Sequence, residues 1–260
     1  MNLQYPMKTI IILASTFIAT SAIAQEATNA LTQDPKSTWV DQYDVLIQKY
    51  VTPIGVRYKA WHGNSADKKA LAGVISAIGS ESLTGKSSDE KLAFYLNSYN
   101  AWILHRILQD YPTKGPGGGG FFGRNKFFKA ETLRVAGKVT SFHLLENDTI
   151  RPTFKEPRIH FALNCASASC PPLHGKAFRG ETLDATLDAL AKGFVNSNPL
   201  GVKSNGSSKV AISKIFDWYE DDFKSAGGAL AYINKYRTRP FPTGTKVSFQ
   251  GYQWTLNESR

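Results

Sequence analysis

Residues 158–174, RIHFALNCASASCPPLH, hold both cysteines of this 260-residue chain and two of its five histidines. Sulfur gathered in one loop can act in three ways. A thiolate is a nucleophile, and a base within hydrogen-bond reach activates it; His160 is the nearest in sequence, with His143 and His174 as the other choices. Cys165 and Cys170 can instead close a disulfide, which over so short a loop contributes only about 2 kcal/mol and shapes the loop more than it holds the domain. Third, His160, Cys165, Cys170 and His174 follow the pattern H-x4-C-x4-C-x3-H. That donor set suits tetrahedral zinc, but the spacing is unfamiliar and Pro171-Pro172 stiffens its second half, so neither metal nor other cofactor is expected.

Alternation reads Arg158 to Asn164 as a strand, with Ile159, Phe161 and Leu163 on one face and His160, Ala162 and Asn164 on the other. In an extended chain His160 and Cys165 lie roughly 16 Å apart, so a direct dyad requires the chain to fold back after Asn164. Residues 166–169, ASAS, allow such a turn, which would bring Cys170 rather than Cys165 toward His160.

The elements that must position this loop are mostly helical. A helix is expected from Ser37 to Tyr50 and another from Asn64. Ser87 and Glu90 form a capping-box pattern ahead of KLAFYLNSYNAWILHRIL, a helix stopped by Pro112 and apolar on nearly every side, as the centre of a core requires. Asn97 and Asn100 are therefore buried amides that must tie down backbone or face a polar cavity. The glycine-rich stretch 114–123 reads as a loop; it lacks the Gly-Lys-Ser/Thr of a phosphate-binding loop. A hairpin is expected over 127–139, then a short helix FHLLENDTIR carrying Glu146 and Arg151. Helices over 181–196, after Ser213 and through Tyr236 follow, with a strand at 209–212 and a closing hairpin over 246–256 that turns at Gln250-Gly251. Asp217, Glu220, Asp221 and Asp222 read as solvated acids at a helix N-terminus. The pattern predicts one α+β domain over 37–260, its buried central helix packed on a small, mostly antiparallel sheet.

Lys8, the apolar run from Thr9 to Ile23 and the small residues before Gln25 predict a leader over residues 1–24, cleaved after Ala24, and a polar tail over 25–36. The expected location is periplasmic or secreted, which is oxidising and permits disulfides. No other window reaches membrane-span length. The formal charge of +10 admits an anionic envelope polymer as partner. Nucleic acid is not expected, because no run of interleaved arginine and aromatic residues forms a binding platform.

EKLAFYLNSYNAWILHRIL, LLENDTIR, RIHFALNCASASCPPL and SKIFDWYEDDF, in that order, resemble the DUF547 family, a domain of unknown function in bacteria and plants. The resemblance runs from about Trp39 to Tyr236. It implies a site on Asn97, Tyr99, Asn100, Glu146, Arg151, His160, Asn164, Cys165, Ser169 and Cys170; His174 falls outside the pattern. Relatives in reducing compartments speak against a purely structural disulfide. The layout also loosely resembles papain-like and transglutaminase-like folds, with the departure that those carry their cysteine on the core helix, where this chain has Asn97 and Asn100. The leading expectation is an exported thiol-dependent hydrolase or transferase acting on an amide or thioester, with Cys165 as nucleophile, His160 as base and Glu146 as orienting acid. Asn97, Asn100, Asn164, Ser169 and Arg151 would bind the small-molecule or peptide-like ligand. The alternative is a non-catalytic envelope binding module with a loop-shaping Cys165–Cys170 disulfide.

Overall fold

Ser87 closes the expected capping box: its hydroxyl accepts the Glu90 N–H at 3.2 Å, and the Glu90 carboxylate accepts the Ser87 N–H at 2.7 Å. Two orphan amides are thereby satisfied at the start of the longest helix. The structure, a computed structural model, describes residues 38–130, 132–204 and 209–259. The expected leader and polar tail lie outside them.

Along the chain come α1 (Trp39–Tyr50), a two-residue hairpin of β1 (Val51–Thr52) and β2 (Gly55–Val56), α2 (Tyr58–Gly63), α3 (Ser65–Ser80) and α4 (Ser88–Asp110). Leu96, Asn97, Tyr99, Asn100, Ala101, Ile103, Leu104 and Ile107 are all buried, so α4 is enclosed on every side, as its all-round apolarity requires. Its flanks are α3, the turn Gly180–Thr182 and α6 (Leu183–Asn196). Tyr43, Ile47, Trp61, Leu71 and Ile78 complete this core from α1 to α3. A second apolar cluster joins Phe161, Phe194, Ile212, Phe216, Phe223 and Ile233.

The fold mixes helices with small sheets, and residues from Trp39 onward form one compact unit. The pairs β1–β2, β3 (Leu133–Val135)–β4 (Lys138–Thr140) and β5 (Val202–Ser204)–β6 (Lys209–Ile212) are antiparallel, and β7 (Lys246–Phe249) joins β6 in parallel. These strands are peripheral to the central helix; β3 meets it through Leu133 and Val135 in the shared core and through the Trp102 indole N–H, which donates to the Arg134 carbonyl at 3.3 Å.

Three local expectations are corrected. Arg158 to Asn164 is not a strand: Pro157–Phe161 is a 3-10 turn. Pro157 supplies a helical φ at its start, and Glu156 caps the Arg158 N–H at 3.0 Å while also holding the Arg158 guanidinium. The alternation is present, but among the described residues no strand pairs with this segment. Phe127 does not open a hairpin; it lies in α5 (Phe121–Lys129), which takes in the last residues of the glycine-rich stretch. Gly117 has φ of 60°, and a Cβ there would lie 2.1 Å from the Gly123 carbonyl oxygen, so this turn requires glycine.

The closing hairpin is also absent. β7 finds its partner in β6, and the residues after it run as a strap along the cysteine loop. The Ala168 N–H donates to the Thr255 carbonyl at 2.7 Å, Ser169 N–H to the Gln253 carbonyl at 3.2 Å, and Asn257 N–H to the Ala166 carbonyl at 3.1 Å. Strand-like alternation in the tail thus serves a pairing with a distant loop rather than with itself.

Candidate functional site

Asn100 and Asn164 hold the cysteine loop, and Asn97 holds the segment that follows it. Asn100, on α4, donates to the Ala162 carbonyl at 2.9 Å and accepts the Asn164 N–H at 2.9 Å. Asn97, three residues earlier, holds both the N–H and the carbonyl of Phe178 at 2.8 Å. Asn164 donates to the Pro171 carbonyl at 2.8 Å and accepts the Ala166 N–H at 2.9 Å, so one side chain clamps both ends of the turn that carries the sulfurs. These amides satisfy buried backbone groups that would otherwise be orphaned. Ala166 has φ of 59°, a left-handed conformation uncommon for a non-glycine residue, and Asn164 is what holds it there.

This fold-back sets the two sulfurs side by side. No disulfide joins Cys165 and Cys170, and their Sγ atoms lie 2.6 Å apart, closer than two non-bonded sulfurs pack and longer than the ~2.05 Å of an S–S bond. The Cys165 N–H also donates to Cys170 Sγ at 2.9 Å. Cys165 Sγ lies 2.8 Å from the Ser167 hydroxyl and 3.1 Å from the Tyr252 hydroxyl, which themselves touch at 3.0 Å. Burial raises the Cys165 pKa, but hydrogen bonds from Cys170, Ser167 and Tyr252 outweigh it and bring the thiol down to about 7. Cys170 moves the other way, pushed well up by burial and by the neighbouring Cys165.

His160 is buried in the 3-10 turn, with Nε2 2.7 Å from Asp222 Oδ2. Its ring stacks on Tyr219 at a centroid separation of 3.9 Å. Arg151 grips the same carboxylate in bidentate fashion, Nε to Oδ2 at 2.7 Å and Nη2 to Oδ1 at 2.9 Å, and reaches Asn147 Oδ1 at 2.6 Å. Burial alone would raise the Asp222 pKa; the hydrogen bonds from His160 and Arg151 win and hold the carboxyl well below the usual carboxylate range. The carboxylate that His160 contacts is thus that of Asp222, and no hydrogen bond joins His160 to Glu146 among the described residues. Glu146 is buried and instead accepts from the Tyr99 hydroxyl at 3.4 Å and from Tyr219.

A cavity of about 180 Å³ brings these groups together. Cys165, Cys170, His160 and Glu146 line it, as do His143, Asn147, Tyr99 and Tyr219. Phe128, Trp218, Tyr252 and Trp254 supply an aromatic wall, and Arg124 lies 4.2 Å over the Trp254 ring. Asn97, Asn100, Asn164, Ser169 and Arg151 are not in its lining; Asn164 and Arg151 hold the lining residues Pro171 and Asn147, while Asn97 and Asn100 tie down backbone outside it. Ser169 accepts the Gln253 N–H at 2.9 Å and so pins the strap that carries Tyr252. His174 packs on Phe178, away from the cavity. The four-residue zinc pattern is therefore not assembled, and no metal-type cluster occurs among the described residues.

Sequence reasoning missed Asp222, Tyr252 and the aromatic wall. Asp222 sits in an acidic run that reads as solvent-facing, and its partner is 62 residues away. A usable signal was its place within FDWYEDDF, where aromatic residues interrupt the acids.

Residues 83–195 match the family model described as "Protein of unknown function, DUF547". The match lies inside the wider stretch over which the motifs resemble that family. It covers α4, Glu146, His160 and both cysteines, whereas Trp218, Tyr219, Asp222, Tyr252 and Trp254 fall after it. No curated protein and no solved structure matches the chain.

Proposed function

We propose that this chain, a DUF547 family protein by its residues 83–195, is a cysteine-dependent hydrolase or transferase acting on an amide or thioester. One observation carries the reading: a thiol brought down to about 7 shares a cavity with a histidine anchored to a carboxylate. In this scheme Cys165 attacks the carbonyl carbon and the C–N or C–S bond breaks. His160 takes the Cys165 proton and returns it to the leaving group, then draws a proton from the water or acceptor that releases the acyl group. Asp222 holds Nε2, which leaves Nδ1 as the nitrogen that exchanges protons, and stabilises the imidazolium that forms. The aromatic wall gives the acyl or peptide-like portion an apolar seat. The expected leader supports a periplasmic or secreted location, with fragments of an envelope polymer among the candidate substrates.

The test uses prereduced protein with p-nitrophenyl acetate and a panel of N-acetylcysteamine thioesters and peptide amides. The expected result is a stoichiometric burst with an acyl adduct on Cys165 by mass, lost in Cys165→Ala. Turnover that survives in Cys165→Ala overturns the assignment. No burst after reduction, together with no alkylatable thiol in protein purified without reductant, is the result expected of the binding module with a permanent disulfide.

A further inference from the structure

An acyl-transfer site needs one sulfur, and this loop is built around two. We propose that Cys165 and Cys170 are a redox-active dithiol that exchanges with an external disulfide, Cys165 attacking and Cys170 resolving. The roles follow from position. Both sulfurs border the cavity, but Cys165 is partly exposed, where a small disulfide can reach it, whereas Cys170 is only 7% exposed. The two sulfurs already touch, so resolution needs no rearrangement of the loop. That contact is enforced from both sides: Asn164 clamps the ends of the turn, and the strap over Ala168 and Ser169 holds its middle. The opposite pKa shifts of the pair support the same division, since the attacking sulfur is the one that ionises.

The chemistry balances with a disulfide RSSR as oxidant. The Cys165 thiolate attacks one sulfur of RSSR, the S–S bond breaks, and RS− leaves and takes up a proton. Cys170 then loses its proton, attacks Cys165 Sγ and expels the second RS−, which is also protonated. Two electrons pass from the protein sulfurs to RSSR, giving the Cys165–Cys170 bridge and two RSH. Excess RSH reverses the sequence. The loop-shaping disulfide weighed from the sequence would not cycle in this way.

Full-length protein, reduced and freed of reductant, is incubated with glutathione disulfide, then alkylated and weighed. The exchange predicts loss of both alkylation sites with no adduct in the wild type, return of both sites in reduced glutathione, and one glutathionyl group trapped on Cys165 in Cys170→Ser. Cys170→Ala is the second trapping variant, so that poor folding of one does not decide the matter. Equal glutathionylation of Cys165→Ser and Cys170→Ser overturns the assignment of roles. A bridge that ignores the glutathione ratio, or no bridge at any ratio, overturns the exchange itself. Because mass is read with no ester or amide present, failure of the hydrolase reading leaves this outcome standing.

Discussion

His160 and Asp222 are 62 residues apart in sequence, and their side chains meet at 2.7 Å with Arg151 closing the carboxylate from the other side. Removing that charge leaves both a guanidinium and a buried imidazole without their partner. Asp222→Asn is expected to destabilise the fold by about 2 kcal/mol, read as a lower denaturant midpoint. Ester or thioester turnover should fall by about 100-fold or more as the imidazole loses its orientation. Glu146→Gln, which keeps a partner for Tyr99 and Tyr219, should cost less activity. The reverse order would return the orienting role to Glu146.

Asp222 also makes stability depend on pH. Its folded pKa lies below its unfolded value, so its contribution is complete above the ordinary carboxylate range and is lost as pH falls through that range and below. Wild-type melting temperature should drop on acidification over this window. Asp222→Asn should show a shallower slope there.

Cys165 should ionise near neutrality. The rate of alkylation by iodoacetamide is expected to rise with pH through an inflection near 7, below the ~8.5 of an ordinary thiol. Tyr252→Phe and Ser167→Ala each remove a hydrogen-bond donor to the sulfur and should move the inflection upward. An inflection unchanged in both variants would dismiss these hydroxyls as its cause.

Asn97 and Asn100 are expected to act on stability rather than on ligand binding. Each amide serves two buried backbone groups, so Asn97→Ala or Asn100→Ala should lower unfolding free energy by about 2 kcal/mol or more. Asn97→Ala, tied to Phe178 at a distance from the sulfurs, should retain the Cys165 alkylation profile.

Trp218 is 43% exposed on the cavity wall, where it packs against Tyr252 and Trp254. Trp218→Ala should raise KM for acyl substrates with little change in melting temperature. A larger effect on kcat than on KM would place it closer to the reacting atoms than the wall.

The central helix was legible in the sequence because its signals are local. A capping box, a stopping proline and all-round apolarity act within a few residues, and they alone predict its span and its burial. Two cysteines in one loop marked the location of the site for a similar reason. The strand expected at 158–164 went wrong because alternation speaks only of faces. A strand needs hydrogen bonds from a neighbour, and Pro157 with the Glu156–Arg158 pair offered the backbone a turn instead. The partners of His160 and Cys165 were decided by the tertiary structure. Asp222 comes from the short helix Glu220–Phe223, whose Phe223 belongs to the second apolar cluster, and Tyr252 from the C-terminal strap, and no local spacing connects either to the loop. Residue types limited this chain to a few kinds of sulfur chemistry; the packing that folds distant segments onto one cavity determined which hydroxyls and which carboxylate surround the sulfur and the imidazole.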